Sequence, residues 1–99
     1  MKEVIIDGHV IQTANDIYRL LKQQLDFGLY FGNNMDALWD VLSSDVERPF
    51  VIHWINADVS QRQLGNDFNL FVNLFQRLEE YDQSHGWDDR FKFNLNNNS

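Results

Sequence analysis

Pro49-Phe50-Val51-Ile52-His53-Trp54-Ile55, PFVIHWI, is apolar at every position after the proline except His53. Six residues of β-branched and aromatic character are too few for a helix of ordinary length and suit a strand. With no regular polar alternation, the run reads as a strand buried on both faces, as in parallel sheets. Proline is tolerated at a strand's first residue, where no ladder N–H is needed.

Outward from this run, strands and helices alternate. Val4-Ile5-Ile6 is a short β-branched run closed by the turn signal Asp7-Gly8. Thr13 followed by Asp16 three residues on forms a capping pair. Ile17, Leu20, Leu21 and Leu25 then share one helix face, and Gly28 suits the left-handed position past the helix end. Tyr30-Phe31-Gly32 is an aromatic loop, and Asn33 or Asn34 suits the N-cap of a second helix. Met35, Leu38, Trp39 and Leu42 recur at helical spacing, which predicts that this helix is short and covers about 34–43. After PFVIHWI, residues 56–66 are polar and irregular, with room for one helical turn. Phe68, Phe71, Val72, Phe75 and Leu78 mark a long helix to about Ser84, its stripe widened by Leu70, Leu74 and Tyr81, and Gly86 suits its stop. Phe91-Lys92-Phe93-Asn94-Leu95 alternates apolar and polar, the pattern of a half-exposed edge strand.

The order strand, helix, helix, strand, helix, strand (β-α-α-β-α-β) places the chain in the α/β class. It implies a three-stranded, mainly parallel sheet covered by helices. The 99 residues make one domain, with 96–99 as a frayed tail. Aromatics at 14% supply the large buried side chains that so small a domain needs.

Eight basic against fifteen acidic residues give a net charge of −7. Such a chain repels RNA, DNA and anionic lipid, and its electrostatic complement is a cationic partner. With no cysteine there is no disulfide, thiolate nucleophile or thiolate metal site. The opening MKEVIIDGHV is too short an apolar run for a signal peptide, and no stretch approaches the ~20 apolar residues of a membrane span. A cytoplasmic protein with no membrane contact is expected.

The stretch richest in chemistry is YFGNNMDALWDVL, residues 30–42. Asp36 and Asp40 lie about 40° apart on a helical wheel, beside the apolar stripe, with Asn33 and Ser43 extending the polar edge. Like charges at this spacing cost a helix roughly 0.2–0.5 kcal/mol. Asp36 is partly offset by the positive end of the helix dipole, but Asp40 is not. A tolerated local cost hints at a task, although a solvated acidic face is the plainer explanation. Catalysis by two carboxylates needs a substrate cleft, for which this chain offers little room. Magnesium held by two carboxylates is commonly completed by substrate phosphates, which a chain of this charge repels. No histidine stands three or four residues from either aspartate, and no glycine-rich phosphate loop is present, so no metal, cofactor or catalytic residue is expected. His9 suits an exposed turn, His53 a hydrogen-bonded core position, and His85 a helix end. Trp39, Trp54, Phe68, Phe71 and Phe75 fall at core-facing spacing.

YFGNNMDALWDVL closely resembles the Tyr-aromatic-Gly-x-Asn-Leu-Asp-Ala-Leu-Trp-Asp segment of the barstar family, the bacterial inhibitors of barnase-type ribonucleases. The likeness extends over most of residues 3–78, through the Asp-Gly turn, the proline-led strand ending near Trp54 and the phenylalanine-rich helix. It implies a barstar-like fold and a protein that blocks the active site of a basic ribonuclease with its second helix and the preceding loop. Carried over, Tyr30 and Asn34 contact the enzyme, Asp36 and Asp40 pair with its basic residues, and Met35 and Trp39 support the surface. Phe31, Asn33, Ser43, Ser44 and Asp45 complete the contact region. The sequence departs from the family at Ser44 and Asp45, where a glycine and a tryptophan are usual, and at Phe31, which lacks a tyrosine hydroxyl. The family's acidic contact on the long helix falls at Arg77. These departures point away from barnase itself and toward a related ribonuclease, such as a toxin domain that the protein neutralises as its immunity partner. Asp45 and Glu47 extend the acidic patch. Two other readings stay open: an acidic module of the same fold that binds a different basic protein, and a small enzyme using Asp36, Asp40 or His53.

Overall fold

A computed structural model describes residues 1–27 and 32–96. The element order is β1 (Lys2–Asp7), α1 (Ala14–Leu25), α2 (Met35–Ser44), β2 (Phe50–Ile55), α3 (Ala57–Leu64), α4 (Asn66–Ser84) and β3 (Phe91–Leu95). The strands form one parallel sheet in the order β1-β2-β3, with Val4 opposite Ile52 and Ile52 opposite Phe93. The expected α/β class and parallel sheet are thus present. One helix more than expected separates β2 from β3.

The extra helix, α3, occupies the stretch that reads as irregular. Its sequence ADVSQRQL buries only Ala57 and Ser60, too few apolar positions to give a periodic signal. Tertiary contacts hold it instead. The Trp54 indole N–H donates to Ser60 Oγ at 2.9 Å inside the core. Gly65 then turns the chain into α4 at φ 58° and ψ −127°, a conformation open to glycine.

Helix α1 starts with a complete capping box: Asp16 N–H donates to Thr13 Oγ1, and Thr13 N–H donates to the Asp16 carboxylate. It stops earlier than Gly28 suggests. Asp26 takes the left-handed position at φ 57°, its N–H bonded to Lys22 O. Gly28 lies outside the described residues.

Alternate strand residues divide the sheet into a covered face and a partly open one. Val4, Ile6, Phe50, Ile52, Trp54 and Phe91 face the helices and are buried with Ile17, Leu21, Leu38, Leu42, Phe71, Phe75 and Leu78. Trp54 packs edge-on against Phe68, Phe71 and Phe75. The opposite face departs from the double burial expected of β2. Val51 is covered, but His53 and Ile55 are only half-buried, and Glu3, Ile5, Lys92 and Asn94 are exposed. His53 is hydrogen-bonded as expected, yet outside the core: it bridges Glu3 Oε1 at 3.4 Å and Asn94 Nδ2 at 3.1 Å across the three strands.

Asn96, expected to begin a frayed tail, is held in place. Its N–H donates to Trp54 O and its carbonyl accepts from Ala57 N–H. Residues 97–99 lie outside the described set.

Candidate functional site

Helix α2 is built to stand against α4 and show its other side to solvent. Asn34 is its N-cap, accepting from Ala37 N–H at 2.8 Å. Leu38 and Leu42 are fully buried, and Met35, Trp39 and Val41 pack partly against the core. That anchoring stripe fixes the direction of the remaining residues, so Asp36 and Asp40 are exposed. Among the described residues neither carboxylate is ion-paired.

The structure brings together most of the contact residues that the sequence nominates. Asn33 is tied to α1 through its Nδ2, 2.7 Å from Asn15 Oδ1, which fixes the approach to α2. Asn34 spends its side-chain oxygen on the cap, leaving its amide nitrogen for outside contacts. Trp39 is half-buried, its ring edge-on to Tyr81 at 5.5 Å. Ser43 and Ser44 bond back to Asp40 O, and Ser44 also meets Asp45 Oδ1, so both hydroxyls are engaged at the helix end. Asp45 is the exposed C-cap. Tyr30 and Phe31 lie outside the described residues.

Residues 32–47 carry four acidic side chains, Asp36, Asp40, Asp45 and Glu47, and no Lys or Arg. The nearest arginine in sequence, Arg48, does not offset this charge outward. Its Nε and terminal nitrogen bond both oxygens of buried Asp82, at 2.6 and 2.9 Å, and a further nitrogen donates to Val46 O. The guanidinium also lies 5.0 Å from the Phe50 ring centre and 5.7 Å from that of Trp87. This clamp fixes the segment after α2 to the end of α4.

Arg77 is the one nominated position whose direction the sequence leaves undecided. Its guanidinium sits 5.0 Å over the Trp39 ring, and it lines a shallow cleft together with Asp36, Trp39 and Asp40. It therefore faces α2. It also lines a second cleft, formed with Met35, Leu70, Leu74 and neighbouring polar residues of α4. Leu70, expected in the core stripe, is 43% exposed there. The exposure reflects its place at the rim of the α2–α4 contact.

Among the described residues no group of three or more His, Asp and Glu could hold a metal ion. No described helix is long and apolar enough to cross a membrane.

Residues 1–96 match the family described as Barstar (barnase inhibitor). The chain belongs to the barstar family. It is also 34% identical over 80 residues to a Bacillus subtilis (strain 168) protein named "Putative ribonuclease inhibitor YrdF", an alignment spanning 81% of this chain and 88% of that one. In this barstar-family chain, the anchored α2 helix, its outward carboxylates and the parallel sheet behind them occur together.

Proposed function

We propose that the protein inhibits a ribonuclease by docking α2 and the loop before it into the enzyme's cationic RNA-binding site. The observation that carries this reading is the pair Asp36 and Asp40, exposed, outside any ion pair among the described residues, and held side by side on a helix anchored through Leu38 and Leu42. Arginine and lysine side chains that grip phosphate accept a carboxylate by the same charge-assisted hydrogen bonds. Two carboxylates about one helical turn apart thus stand in for adjacent phosphates. Trp39 and Met35 give the contact an apolar floor, and Asp45 and Glu47 extend it. The protein itself carries out no chemical step in this mechanism. Its excess negative charge speeds encounter with a basic enzyme and keeps RNA off its own surface. A toxin nuclease, with this chain as the immunity partner in the same cytoplasm, is the setting that fits such a plug.

The test uses RNA cleavage by barnase as the reference ribonuclease, with rising amounts of the purified protein. Inhibition is expected, weakened by the departures at Ser44, Asp45 and Arg77, and Asp36→Ala or Asp40→Ala should each weaken it further by at least about 2 kcal/mol, roughly 30-fold, with the thermal melt unchanged. Association should slow as salt is added. Full inhibition by the double alanine variant would refute the α2 mechanism. The departures from the family pattern at Ser44, Asp45 and Arg77 favour a second reading, in which the same face binds a basic protein other than a nuclease. Co-purification that yields such a protein, joined to absent inhibition of any ribonuclease offered, would favour it.

A further inference from the structure

Arg77 places a positive charge inside an otherwise anionic surface. It is the only basic residue of α4 and is exposed. Its guanidinium lies on the Trp39 ring and lines the cleft that holds Asp36 and Asp40, yet among the described residues it pairs with neither carboxylate. Stacking on an aromatic face leaves the N–H edges of a guanidinium directed outward. Any target that brings cations to Asp36 and Asp40 must therefore pack its flanking groups against Arg77. If those groups are also cationic, like charges meet at close range with water partly excluded, and binding is penalised.

We infer that Arg77 is a selectivity residue. It disfavours ribonucleases whose surface opposite α4 is cationic and favours one that presents a carboxylate or neutral acceptor there. This inference rests on the reading of α2 as the inhibitory plug. The stack on Trp39 fixes the penalty in place, since swinging the guanidinium away would expose the tryptophan face and lose the cation–π contact. Two positive roles would behave in the opposite way. If Arg77 served only to hold Trp39, neutralising it would loosen the contact surface and weaken inhibition. If it met an anion on barnase, the cationic enzyme used as the test, reversing its charge would weaken inhibition further.

The experiment measures inhibition of barnase, a basic ribonuclease, by the wild-type chain and by Arg77→Lys, Arg77→Gln and Arg77→Glu, with Asp40→Ala as control and thermal melts to verify folding. The expected order of potency is Glu, then Gln, then Lys equal to Arg. Gln should gain about threefold and Glu more than about tenfold at low salt, with the spacing shrinking as salt rises. A flat series, or weaker inhibition by Gln and Glu, overturns the inference while leaving the plug intact if Asp40→Ala still weakens inhibition. Unchanged potency in Asp40→Ala strikes at the plug instead. Absence of inhibition in wild type and Arg77→Glu alike overturns both.

Discussion

The residue with most at stake for the fold is Asp82. It is completely buried, accepts from two nitrogens of Arg48, and accepts at 2.7 Å from the Phe91 N–H that opens β3. Three donors converge on one carboxylate, so none of the charge is left unsatisfied. Removing one partner strands the other, a guanidinium that is itself only 10% exposed. Asp82→Ala is therefore expected to cost about 3–5 kcal/mol, read as a fall in the urea midpoint. The sign of a matched replacement is different. Arg48→Met with Asp82→Leu removes both charges and should recover much of the loss, because well-packed apolar pairs often replace buried ion pairs at little cost. Near-wild-type stability of Asp82→Ala alone would show that water reaches Arg48. The same clamp ties Val46 to α4, so it also sets the position of Asp45 and Glu47 at the edge of the proposed contact.

At the scale of elements, local signals are legible in the sequence and long-range ones are not. The capping box at Thr13, the Asn34 cap, the α2 stripe and the PFVIHWI strand each rest on residues within a few positions of one another. The twin carboxylates are equally readable, because helical spacing alone sets their common face. Helix α3 is hidden because its stability comes from Trp54 and from packing, not from its own periodicity. The Arg48–Asp82 pair joins residues 34 positions apart, and no sequence pattern announces it. The direction of Arg77 is hidden for a similar reason: it depends on how α4 crosses α2. The Asp7-Gly8 turn is legible as a turn but not as a tight contact. Gly8 N–H extends the β1–β2 ladder to Ile55 O, and a Cβ there would sit 2.0 Å from Asn56 O. Asn56 is itself fixed by its amide, which donates to Asp7 Oδ1 at 2.8 Å. Gly8→Ala must therefore push β1 away from the start of α3. It should destabilise by about 1–3 kcal/mol through overpacking, seen as a lower melting temperature. An unchanged melt would mean that the β1–α3 corner is more open than it stands here.

At the scale of the whole molecule, three groups on α1 and β1 make stability depend on pH. The Gln12 N–H, followed by that of Thr13, holds the Asp16 carboxyl below its usual value of 3.8. The Asn56 amide, followed by the His9 N–H, does the same for Asp7. A carboxyl whose folded pKa is depressed contributes stability that is present above 3.8 and is lost as pH falls through the folded value. Tyr18 behaves in the opposite sense. Burial, and then the nearby Asp67 charge, raise its hydroxyl above 10.0. Its contribution is present below 10.0 and is lost as pH climbs through the raised value, because the unfolded chain releases that proton first. These three groups should thus lower the melting temperature at both the acid and the alkaline end. Self-repulsion in a chain of net charge −7 adds to the alkaline fall, and substitution separates the two contributions. Tyr18→Phe removes the titrating hydroxyl but leaves the surface charge at neutral pH untouched, so it should flatten the alkaline limb without changing the acid one. Asp16→Asn should flatten only the acid limb. If Tyr18→Phe melted with the wild-type alkaline slope, general charge repulsion would account for that limb and the buried phenol would not.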